Sequence, residues 1–210
     1  SLKSLRPLLV GKEPYACNKQ KAFKLLNFGK IFPFSPSSKM LIFPIIDTTV
    51  SAIKISIFQN KKKILVDSIA KYVKREIKLA ECNDKLTIVL GKKSSSAKFF
   101  ILENIEKYLD EGKVKIVVSY GNNKSQDFYF NTVWLNKPII LRNTKFAISL
   151  IKTIWGKHDV DKILKLDNDK QYAALKKYLS KYDTDTSTKF NEVMSEFYNR
   201  VDYAIFNFGN

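Results

Sequence analysis

Histidine is almost missing from this 210-residue chain: His158, in a GKHDVD stretch, is the only one. Proton transfer and nucleophilic attack require reactive groups that can be brought together, and one imidazole leaves little to assemble. No GxSxG, Walker, GxGxxG or HExxH pattern occurs either. The chain therefore reads as a binding protein rather than an enzyme, and no cofactor is expected. Cysteine is nearly as scarce. Cys17 and Cys82 have neither CxxC spacing nor a neighbouring His, so no zinc site or disulfide framework is expected, and a reducing compartment fits. No apolar run reaches the roughly 18 residues of a membrane helix. The opening SLKSLRPLL has no apolar core of signal-peptide length before Gly11 and Lys12, so a soluble chain without an export address is expected. Gly and Pro are few, 7 and 6, while 45% of residues are hydrophobic and 13% aromatic, a globular rather than disordered composition.

Acidic residues are also short: 20 Asp and Glu face 37 Lys and Arg, leaving a net charge of +17. A polyanion or an acidic protein surface is the natural partner of such a balance. An AT-rich genome enriches Lys, Asn and Ile as well, so charge alone does not choose the partner. The acidic pairs Asp159 with Asp161 and Asp167 with Asp169 lack the spaced ligands and distal Glu of a calcium loop. They read as solvated helix caps, and no metal site is expected.

Strand patterning begins at Met40. The run MLIFPII, an expected turn at Asp47-Thr48-Thr49, and the alternation Ile53, Ile55, Ile57 predict two strands around a tight turn. Before it, residues 1–44 are irregular, with residues 22–32 as one candidate strand. Leu65, Ile69, Tyr72 and Val73 share a helical face and predict a short helix over 65–74. Ile77 and Leu79, the turn pair Asn83-Asp84, then Leu86, Ile88 and Leu90 predict a hairpin, followed by the flexible GKKSSS loop and a strand from Lys98 that gives way to a helical turn. Taken together, residues 40–105 are expected to close into a five-stranded mixed barrel of the oligonucleotide/oligosaccharide-binding (OB) type. Two β-rich runs around Gly121-Asn122-Asn123 predict a second hairpin, over 114–120 and 127–135. Beyond Pro138 come amphipathic helices: one capped at Asn143 or Thr144 and ending at Gly156, one with Tyr172, Leu175 and Leu179, one with Phe190, Met194, Phe197 and Val201. The fold class expected is therefore a mixed β-barrel plus α, divided into an OB domain over 1–112 and a hairpin-plus-helices extension over 113–210.

Basic clusters stand at Lys61, Lys62 and Lys63, at Lys74 with Arg75, at Lys92 with Lys93, and at Lys176 with Lys177. OB barrels place cations in the loops flanking the binding face, where exposed aromatics stack on bases. On that reading Lys61, Lys62, Lys63, Lys92 and Lys93 are the candidates for contact with single-stranded DNA or RNA. Phe99 and Phe100 should face opposite ways, one into the core and one outward for stacking.

Three segments carry a family resemblance. Leu5-Arg6-Pro7 resembles an L-[RQ]-P-W opening, Ile46-Asp47-Thr48 with the apolar alternation after it resembles a strand pair, and residues 75–90 resemble an R-L-x-L-x-x-x-C-x-x-x-V-x-V hairpin. These are features of the OB domains of telomerase-recruiting proteins: the shelterin subunit that brings telomerase to chromosome ends, the small OB subunit of yeast telomerase and the hub subunit of ciliate holoenzymes. The family's Trp is Leu8 here, and KYVKR stands where some members carry an acidic patch. The resemblance implies a non-catalytic telomerase accessory subunit, nuclear and at telomeres, that supports recruitment and repeat-addition processivity. Its partners would be the reverse transcriptase and other telomerase or telomere subunits, with no membrane, and by position Asp67, Lys71, Lys74 and Arg75 would meet the reverse transcriptase. The alternative is a general single-stranded nucleic-acid-binding OB protein. Residues 136–165 are also similar to the closing segment of chalcone-isomerase-like proteins, a fainter likeness covering a strand, a helix and a turn.

Overall fold

The computed structural model describes residues 6–47, 49–120, 124–156 and 158–209, the side chain of His158 excepted. Leu5 of the Leu-Arg-Pro motif, Thr48 of the expected turn and the turn at 121–123 lie outside the described residues. The chain divides into two units, Ser1–Trp134 and Leu135–Asn210.

The first unit is built of strands: β1 (Leu8–Gly11), β2 (Tyr15–Cys17), β3 (Gln20–Lys24), β4 (Ile31–Pro33), β5 (Lys39–Ile45), β6 (Ile53–Gln59), β7 (Lys62–Ile69), β8 (Tyr72–Val73), β9 (Arg75–Cys82), β10 (Lys85–Lys93), β11 (Lys98–Glu103), β12 (Gly112–Tyr120) and β13 (Lys124–Val133). They form three sheets, ordered β1-β5-β11-β8, β2-β3-β10-β9 and β4-β13-β12-β6-β7. The mixed β-plus-α class stands, but the expected closed barrel over residues 40–105 is replaced by open sheets. In particular, β5 and β6 do not form the anticipated pair: β5 lies between β1 and β11, whereas β6 lies between β7 and β12.

The physical reason is visible in β5. All but one of its residues are buried, which a strand achieves only when both faces are covered. The sheet of β1, β5, β11 and β8 is a middle layer. On one side Leu41, Phe43, Phe100 and Leu102 meet Ile55, Ile57, Ile116 and Phe130. On the other, Met40, Ile42 and Phe99 meet Phe23 and Ile88. Phe99 and Phe100 do face opposite ways, yet both are buried, so neither is the exposed stacking ring expected.

The helix expected over 65–74 is instead β7 and β8. Asn60 and Lys61 both have positive φ, 49° and 67°, the signature of a two-residue type I′ turn, and Gln59 pairs with Lys62. A register shift between Ile57 and Phe58 then brings both Ile64 and Leu65 against the core. That bulge breaks the two-residue period of the strand and imitates a helical spacing. Similar turns at Asn18-Lys19 and Asn83-Asp84 close β2–β3 and β9–β10; the second hairpin is the one the sequence predicts.

The sheet of β2, β3, β10 and β9 corrects a further expectation. Its edge strands are three strand spacings apart, roughly 14 Å in a flat sheet, yet the Cα atoms of Cys17 and Cys82 lie 6.0 Å apart and the two are disulfide-bonded. The sheet is rolled about a small cluster of Cys17, Ala22 and Val89, with Ala80 and Cys82 against it; alanine on that face leaves room for the curl. Proximity across 65 positions arises from that curl, which motif spacing does not register.

The β12–β13 hairpin forms, its second strand running over Lys124–Val133 rather than 127–135, and β12 also pairs with β6 along six residues. It belongs to the first unit, which therefore ends after Trp134 rather than at residue 112. The second unit holds α1 (Thr144–Trp155), the single-turn α2 (Asp161–Leu164), α3 (Asn168–Leu179) and α4 (Glu192–Phe208). Asn143 caps α1 by accepting from the Phe146 N–H, and Gly156 ends it with φ of 62°. Asn191 caps α4 in the same way, and the buried Tyr198 hydroxyl donates to the Ala147 carbonyl, tying α4 to α1. The Asp202 carboxylate accepts from the N–H groups of Ile139 and Ile140, which begin a 3₁₀ turn rather than a strand.

Candidate nucleic-acid interface

Strand alternation divides the five-stranded sheet of β4, β13, β12, β6 and β7 into two faces. Ile53, Ile55 and Ile57 of β6, Val114, Ile116 and Val118 of β12, and Phe128 and Phe130 of β13 fill the core. The intervening residues form the open face. One row across it is Lys63, Phe58, Lys115, Tyr129, since Lys63 pairs with Phe58, Phe58 with Lys115 and Lys115 with Tyr129. Cation and ring alternate over four adjacent strands. The Lys63 ammonium lies 5.5 Å from the Phe58 ring centre, and that of Lys115 lies 5.8 Å from Tyr129.

The neighbouring row carries Lys113 opposite Asn131, and Lys30 and Lys61 stand at its ends. These residues line a groove of about 810 Å³ with Phe58 and Tyr129 in it. Tyr129 is 59% exposed on the sheet surface. Lys115 also holds Asp127 at 2.7 Å; this hydrogen bond raises its pKa above the ordinary lysine value, so it stays cationic at neutral pH. Lys30, Lys61, Lys63 and Lys113 make no ion pair among the described residues. Further along the same face, Ser68, Lys54, Ser119 and Ser125 form another cross-strand row, and with Lys124 they line a shallower depression of about 530 Å³.

Of the residues singled out in the sequence, Lys61 lines this groove, and Lys63 stands on the same open face in the row of cations and rings. Lys62 pairs with Gln59, whose side chain is buried, so it alternates to the other face of the sheet. Lys92 and Lys93 are exposed at the end of β10, in a different sheet. Asp67, on β7, accepts from the Ser68 N–H. Lys71 links β7 to β8, Lys74 lies 5.7 Å from the Tyr72 ring centre, and Arg75 opens β9 with a bond to the Gly91 carbonyl. Those four follow one stretch of chain and none lines the groove. Three of the acidic residues have protein partners: Asp159 accepts from Tyr178, Asp161 from Lys152 and Asp167 from Lys170. Phe58, Lys113, Lys115, Tyr129 and Asn131 escaped the reading of basic clusters because they are dispersed. Their signal was an aromatic at the polar phase of an alternating strand, in IKISIFQ and in KSQDFYFNTV.

No protein-family model, no curated protein and no solved structure matches this chain.

Proposed function

We propose that this protein binds single-stranded nucleic acid on the open face of its five-stranded sheet, without catalysing a reaction. The observation that carries the reading is the row Lys63–Phe58–Lys115–Tyr129. Rings offer stacking platforms for bases of any identity, and ammonium groups between them track the phosphates. Two strand spacings separate the rings, about 10 Å, wider than the roughly 3.4 Å step of stacked bases. Each ring therefore takes its own base, with the strand extended between them. A duplex keeps its bases stacked inward and cannot use the platforms.

The narrower role implied by the resemblance, an accessory subunit of telomerase, presupposed a closed barrel over residues 40–105. With those strands in three open sheets, we propose the broader binding role in its place.

Fluorescence anisotropy with a labelled oligothymidine, set against a duplex of equal length, tests the proposal. If the four lysines of the groove and Lys63 beside them all contact phosphates, the log–log salt slope for the single strand is about −3.5. Anisotropy that stays flat at low salt, or equal affinity for both forms, would refute it.

A further inference from the structure

The aromatic groove occupies one end of the open sheet face, and the other end has a different chemistry. Four positions along β6, β12 and β13 from Phe58, Lys115 and Tyr129 stand Lys54, Ser119 and Ser125. An even separation keeps them on the same face, about 13 Å from the rings. Ser68 pairs with Lys54, Lys54 with Ser119 and Ser119 with Ser125. The row between, Val66, Ser56, Val117 and Asp127, carries no ring, and its carboxylate is engaged by Lys115. A strand leaving the rings meets a flat path to the depression of about 530 Å³ that Lys54, Ser68, Ser119, Lys124 and Ser125 line.

This depression offers donors rather than a surface. Tyr120 contributes its only ring among the described residues and is buried, so a base finds no platform there. The hydroxyls of Ser68, Ser119 and Ser125 make no hydrogen bond to any described residue, and Lys54 and Lys124 make no ion pair among them. Paired positions hold the Ser119 and Ser125 Cβ atoms about 5 Å apart, a span that one tetrahedral anion bridges. The Asp47 carboxylate, whose field reaches Lys124, stands outside the lining and accepts from the N–H and hydroxyl of Thr49 at 2.9 and 2.6 Å. Two ammonium groups against that one carboxylate leave the depression cationic.

We propose that the depression binds the phosphate monoester at one end of a single strand whose bases lie on Phe58 and Tyr129. A diester inside a chain presents one charge and two free oxygens. A monoester carries up to about two charges and three strong acceptor oxygens, which three hydroxyls and two ammonium groups match as charge-assisted hydrogen bonds. The site rests on the strand-binding reading of the groove and adds to it a preference for phosphorylated ends.

The test titrates the full chain, by anisotropy, with internally labelled oligothymidines that are 5′-phosphorylated, 3′-phosphorylated or hydroxyl at both ends. One phosphorylated form is expected to bind about tenfold more tightly than the other two, because an asymmetric face fixes the direction of the strand. The double variant S119A/S125A leaves the net charge unchanged and is expected to remove that advantage, while affinity for the unphosphorylated strand changes less than about twofold. Tyr129→Ala is expected to weaken all three strands and preserve the ratio. Calorimetry with inorganic phosphate is expected to show much weaker binding than the phosphorylated strand. The proposal is overturned if neither end phosphate adds affinity, if both add alike, if the serine variant keeps the advantage, or if inorganic phosphate binds as tightly as the phosphorylated strand. An unphosphorylated strand that binds without any gain from phosphorylation overturns the end site alone; failure of every strand to bind overturns the groove with it.

Discussion

Two lysine environments illustrate what single residues do here. On the open sheet face, Lys113 and Lys115 contribute charge to the groove while Tyr129 contributes a surface, and the two roles separate experimentally. Tyr129→Ala is expected to cost about 1–3 kcal/mol of oligonucleotide binding with the salt slope unchanged. Lys113→Gln is expected to reduce that slope by about 0.7 with a modest loss of affinity. Anisotropy titrations at four or five salt concentrations distinguish them. Lys39 is the opposite case: its side chain is buried, donating to the carbonyls of Ser35 and Ser37 at 2.6 and 2.7 Å. Burial lowers its pKa to about 8, partly countered by Glu106. Between about pH 8 and the unfolded value near 10.5 the folded state binds fewer protons than the unfolded state, so stability from this group rises with pH. The gain is on the order of 1–3 kcal/mol. Urea midpoints from pH 7.5 to 10.5 should show a rise that Lys39→Met removes.

Among the elements, the junction of β6 with β12 positions the groove. Gly112 opens β12 at φ of 122°, and a Cβ there would sit 2.6 Å from the Asn60 side-chain oxygen. The neighbouring Gln59 amide is already committed to both the N–H and the carbonyl of Asp110. Gly112→Ala must strain the backbone and displace Asn60 from the turn, at a cost of about 1–3 kcal/mol measurable by urea unfolding. This turn was hard to read because Asn60-Lys61 lacks the glycine that marks most type I′ turns, and because the β7 bulge spaces its apolar residues like a helix. The β9–β10 and β12–β13 hairpins were legible, since clean alternation flanked turn residues on both sides. So were α1, α3 and α4, whose apolar periodicity is a local property, as are the Asn143 and Asn191 caps of α1 and α4.

At the scale of the molecule, the disulfide between Cys17 and Cys82 holds a rolled sheet whose edge strands share no hydrogen-bond ladder. By the chain-entropy account, a cross-link over 65 positions stabilises by about 4 kcal/mol. Cys82→Ser, or the wild-type chain under reductant, is therefore expected to unfold at clearly lower urea, with no change in the reductant response of the variant itself.

Local pattern decided that this chain is folded, basic, mostly strand in its first two thirds and helical thereafter, because alternation, helical period and capping act over a few neighbouring residues. Which strands lie side by side was settled only in three dimensions. Pairing joins residues far apart in sequence, and its outcome depends on how every apolar face is covered at once. That is why β5, apolar on both sides, became a middle layer instead of a barrel stave, and why positions 58, 63, 115 and 129 form one row of cations and rings.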